Sequence, residues 1–133
     1  MLHRALRITS LSAALAFGLT FAAAGMAASP DPASPNATHS CLVQSGFHVT
    51  YLTAEASAGA LGDLQMYFSA DDHAWLTFEP SPAKAQKDVP IANEEAHILN
   101  LYAGGYAIRN VMVTWDHKPS GAQKQAVQAC IKP

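Results

Sequence analysis

Alternation between apolar and polar positions dominates the middle of the chain. Phe47, Val49 and Tyr51 share one parity within 41–52, which predicts a strand, with Gly46 marking a bulge. Leu64, Met66 and Phe68 repeat the pattern, and Leu76 and Phe78 repeat it again, so residues 64–79 read as a hairpin. A three-residue loop, Asp71-Asp72-His73, pairs Phe68 with Leu76 and Met66 with Phe78, which keeps the apolar side chains together. A two-residue loop would scramble the faces, so the odd loop is preferred. The opposite face then carries Tyr67, Ser69, Trp75 and Thr77.

A second hairpin is expected from Ala96–Ala103 and Tyr106–Trp115 across Gly104-Gly105. Its second arm changes face at Arg109-Asn110, and one extra residue there, a β-bulge, restores a continuous apolar face. Residues 53–62 read as loop, and Glu79 to Pro90, with Pro80, Pro82 and Pro90, as an exposed connection. The end of the chain is helical in pattern. Ser120 and Gln123 form a capping box after Pro119, and Ala122, Ala126, Val127, Cys130 and Ile131 share a face. The sum is an α+β domain: an antiparallel sheet of about five strands (two hairpins plus an N-terminal strand) with one C-terminal helix packed on a face. A β-sandwich or small barrel with an appended helix is the alternative.

The first residues follow a different pattern. His3, Arg4 and Arg7 precede an Ala/Leu-rich apolar stretch, and small residues then run from Ala22 to Ala28 before Ser29-Pro30. That order predicts a cleaved secretory signal peptide over 1–28. Residues 29–40, with three prolines and no apolar periodicity, read as a flexible leader, which leaves 41–133 as the folded domain.

Composition narrows function mainly by exclusion. The chain has 133 residues, 14% of them charged, with 8 Lys+Arg against 10 Asp+Glu. One small domain fits that length. A basic footprint for nucleic acid is missing, and no later stretch is apolar enough to span a bilayer. Arg4 and Arg7 leave with the signal segment, so six basic residues face ten acids and the exported chain carries a formal charge of −4. Cys41 and Cys130 are the only cysteines, and export to an oxidising periplasmic or extracellular space predicts that they pair. Cys41 is expected on the first strand, facing the helix that carries Cys130.

Three histidines have acidic neighbours: His73 after Asp71-Asp72, His97 after Glu94-Glu95, and His117 after Asp116. Zinc or copper would suit such groups if the fold joined His73, His97 and His117, although the spacing is not that of a metal motif. Asp and His are also ordinary turn residues, so neither a metal nor another cofactor is expected. Nucleophile-elbow, metalloprotease and phosphate-loop motifs are missing, which disfavours an enzyme; a small exported hydrolase is the third reading. The preferred candidate is a recognition patch of Tyr67 and Trp75 beside the Asp71, Asp72 and His73 tip, because aromatic rings give large contact area at low entropy cost. This points to a small exported binding protein contacting a protein or envelope component. Inhibitors and immunity-type proteins share that build.

Overall fold

The computed structural model describes residues 31–52 and 59–131. The expected signal segment and residues 53–58 of the expected loop lie outside them. Along the described chain run α1 (Pro35–Gln44), β1 (His48–Leu52), β2 (Gly62–Ser69), β3 (Asp72–Phe78), α2 (Pro82–Ile98), β4 (Tyr106–Ile108), β5 (Val111–Trp115) and α3 (Gly121–Ile131). The strands form one antiparallel sheet in the order β1-β2-β3-β5-β4. The class is α+β, with three helices where one was expected.

The five strands agree with expectation in number through two compensating differences. Residues 96–103 are not a strand: α2 runs to Ile98, Leu99 caps it, and Asn100 turns the chain at φ 59°. The run 106–115 is instead two strands, paired Ile108 to Val111 across Arg109-Asn110. Arg109 has φ 55°, the positive value that lets a two-residue turn follow strand twist. The face change seen in the sequence is therefore the hairpin turn itself. Gly104 serves another purpose, since a side chain there would enter the Tyr102 ring.

A bulge does occur, but in β2. The register shifts between Tyr67 and Ser69, leaving Phe68 as the extra residue. The hairpin turns at Ala70-Asp71, pairing Leu64 with Leu76 and Met66 with Ala74. The bulge supplies the odd residue that a three-residue loop was expected to supply. Parity survives, so the apolar face stays whole while the partners slip.

That face forms the core. Val49, Leu64, Met66, Leu76, Phe78, Val111, Val113 and Trp115 are buried against Leu42 of α1 and Val127 and Ile131 of α3. Phe68 stacks on Trp115, with ring centroids 5.8 Å apart. The α3 capping box forms as expected: Gln123 N–H donates to Ser120 Oγ at 3.1 Å, and Ser120 N–H donates to Gln123 Oε1 at 2.7 Å.

The other two helices begin at Ser-Pro pairs. Ser34 and Ser81 are N-caps with Pro35 and Pro82 directly after them, where a proline's missing N–H costs no intrahelical bond. Residues 35–40, expected in a flexible leader, are thus the first part of α1, and Pro82–Pro90 is helix rather than open connection. Pro90 sits inside α2, which gives up one backbone bond there. Cys41 lies on α1, not on a strand, and bonds to Cys130 of α3 with Cα atoms 5.5 Å apart.

Ahead of α1, Asn110 secures the chain. Its buried amide accepts from Ala33 N–H at 2.6 Å and donates to the Glu79 carbonyl at 2.9 Å. Glu79 is itself buried and pairs with Lys84 at 2.9 Å. On the opposite sheet face, α2 packs against β4 and β5, with Asn93 bonded both ways to the Gly105 backbone. Among the described residues, no helix is long and apolar enough to cross a membrane.

Two measurements test this packing. The disulfide closes a separation of 89 residues. Replacing both cysteines by serine should lower unfolding free energy by about 2–5 kcal/mol. A urea midpoint equal to that of the oxidised protein would refute this. Burial pushes the Tyr106 phenol up to about 12, partly offset by the Trp115 indole. The folded state favours the neutral phenol, so this contribution is complete below pH 10 and is lost as pH rises from about 10 through 12. Absorbance titration at high pH should show one late tyrosine, absent in Tyr106→Phe.

Candidate functional site

Strand alternation places Gln65 and Tyr67 of β2, and His73, Trp75 and Thr77 of β3, opposite the core face. β1 adds His48 and Thr50, which are cross-strand partners of Tyr67 and Gln65. Three strands therefore contribute to a run of rings. His48 stacks on Tyr67 at 5.0 Å, Tyr67 meets His73 edge-on at 5.0 Å, and His73 lies 6.2 Å from Trp75. Packing of this kind fixes ring positions across strands.

One carboxylate orients two of these rings. Asp116, just beyond β5, is bonded to His73 Nδ1 at 2.7 Å through Oδ2 and accepts from Trp75 Nε1 at 3.3 Å through Oδ1. The backbone reinforces the pair, since Asp116 N–H donates to the His73 carbonyl at 3.0 Å. His73 and Asp116 side chains keep 18% and 15% exposure, so the pair is sheltered but reachable. Tyr67 is held separately, donating its hydroxyl to Gln65 Oε1 at 2.7 Å. With the Trp75 N–H and His73 Nδ1 engaged by Asp116, the surface offers mainly ring faces and edges.

The predicted residues divide. Tyr67, His73 and Trp75 come together on one face. Asp72 sits at the hairpin end, where His117 Nδ1 lies 3.4 Å from its Oδ1. Asp71 is exposed in the turn, its N–H donating to Ser69 Oγ at 3.4 Å. His97 lies in the last turn of α2, and the trio His73, His97 and His117 is not gathered. Among the described residues, no group of three or more His, Cys, Asp or Glu is placed to hold a metal ion.

Sequence reasoning missed His48, Gln65 and the orienting role of Asp116. The visible signal was Asp116 beside His117, but Asp116 serves a histidine 43 positions earlier. It also missed a cleft of about 230 Å³ between α2 and the sheet, with Trp75, Met112 and Thr114 as floor and Ala96, Leu99 and Leu101 as wall. A larger cleft of about 370 Å³ opens beside the start of α1; Cys130 lines it, but none of Tyr67, Asp71, Asp72, His73 and Trp75 does, and Arg109 there donates to the Ile131 carbonyl at 3.0 Å.

Replacing Asp116 by alanine removes the partner of both rings. We expect a loss of about 2–3 kcal/mol of stability and faster solvent exchange of the Trp75 indole proton. Unchanged exchange would show that Asp116 does not hold Trp75 in place.

Comparison with protein families, curated proteins and solved structures gives no match, which leaves the geometry of this face as the basis for function.

Proposed function

We propose that the protein is a small exported binding protein, acting in the periplasm or outside the cell, that contacts a protein or envelope component through the β1–β3 surface around Tyr67, His73 and Trp75. The observation that carries this reading is the side-by-side placement of the three rings on the sheet face opposite the core, with α2 packed against β4 and β5 beside them. Rings held by Asp116 and Gln65 are already ordered, so a partner would meet little further entropy cost there. Aromatic side chains of this type dominate interface energetics. The Cys41–Cys130 disulfide is weakly compatible with export. Within this class, inhibitor and immunity-type proteins fit the build by analogy alone.

The His73–Asp116 pair also favours a second reading, a small exported hydrolase, because a carboxylate-oriented imidazole is the general-base half of many hydrolytic sites. Turnover of ester or amide substrates lost in His73→Gln would support it.

The main test is capture from the envelope and secreted fractions of the producing cell with oxidised protein, beside a Tyr67→Ala, Trp75→Ala variant of unchanged circular dichroism. One partner retained by wild type and lost from the variant is expected. Equal capture by both, or none by either, refutes the reading.

A further inference from the structure

Beside the ring surface, the cleft between α2 and the sheet has its own chemistry. We propose that it receives the side chain of a lysine or arginine carried by an apolar segment of the protein partner. This rests on the binding-protein reading and names what the partner presents.

Size comes first. At about 230 Å³ the cleft is smaller than small-molecule sites of about 300–1,000 Å³. It suits one long side chain. The floor is apolar, made by Trp75 and Met112, and Leu99 and Leu101 stand along the wall with 66% and 40% of their surface exposed. Exposed large apolar residues gathered at a concave site mark a contact surface.

Charge selects the occupant. Glu95 and Asp116 both line the cleft, and among the described residues no Lys or Arg does. Asp116 receives two bonds, from Trp75 and with His73, and a carboxylate has about four acceptor positions, so it can accept more. The Trp75 N–H is turned to Asp116, which leaves the indole face for an alkyl stem or a cation. Lysine and arginine combine the two needs: their stems lie on apolar surface while their heads stay at a charged, wet edge. An acidic side chain would meet two carboxylates. A neutral apolar one would fill the cleft but bring no charge to Glu95 or to the acceptor positions left on Asp116. The acidic balance of the whole chain, 10 acids against 8 bases, works in the same direction.

The test titrates oxidised protein with three blocked tetrapeptides, acetyl-Ala-Leu-Arg-Ala-amide and its Gln and Glu counterparts at the third position. The readouts are the NMR resonances of the Trp75 indole N–H and the Met112 methyl. The arginine peptide should shift both saturably, and the glutamine and glutamate peptides should bind at least fivefold and tenfold more weakly. Glu95→Gln, a change at an exposed helix position, should weaken the arginine peptide about threefold or more, while Val43→Ala, at an exposed position of α1 on the other side of the sheet, should leave it unchanged. Equal binding of the glutamine peptide, no shift at either resonance, or indifference to Glu95→Gln overturns the proposal. The two readings fail separately. Partner capture that needs Tyr67 but not Glu95 removes the cleft assignment alone. Arginine-peptide binding at Trp75 with no partner captured removes the ring-surface reading alone.

Discussion

The covalent bond between α1 and α3 is the constraint on which the core depends. Each helix buries only two residues: Thr38 and Leu42 in α1, Val127 and Ile131 in α3. Neither segment carries enough apolar surface to hold itself on the sheet, because short helices draw their stability from tertiary packing. Linked through Cys41 and Cys130, they act as one roof over the β-sheet face that contains Leu64, Leu76, Phe78 and Val113. In a domain this small, loss of that link removes a large fraction of the net stability.

Asn110 provides the polar counterpart. It occupies the β4–β5 turn, yet its amide is fully buried and joins the chain ahead of α1 to the end of β3. Three distant segments thus meet at one side chain. A buried amide is stable only when its donors and acceptors are matched, so this contact specifies the path of the N-terminal segment as well as holding it. The Glu79–Lys84 pair closes the same corner.

The two sheet faces have opposite character. Covering one face by α1 and α3 leaves the other partly covered by α2, and its rings are ordered by hydrogen bonds rather than by burial alone. Asp116 links β3 to the segment after β5, so ring positions depend on a contact between sheet neighbours far apart in sequence. The same carboxylate lines the α2 cleft, which makes the ring surface and the cleft adjoining parts of one face.

Local rules were legible in the sequence. The parity of Leu64, Met66, Leu76 and Phe78, the capping box of Ser120 and Gln123, the pairing of the two cysteines, and the shared face of Tyr67 and Trp75 all follow from backbone periodicity, capping chemistry or residue count. The Ser34-Pro35 and Ser81-Pro82 starts were legible too, but proline there also fits a loop, and α1 and α2 are too weakly amphipathic to decide between them. Only the tertiary structure decided the strand partners, because the Phe68 bulge moves register without changing parity. It alone placed Cys41 on a helix and gave His73 its partner in Asp116. Alternation belongs to each strand by itself, whereas register and side-chain partners are settled by which distant segments pack together.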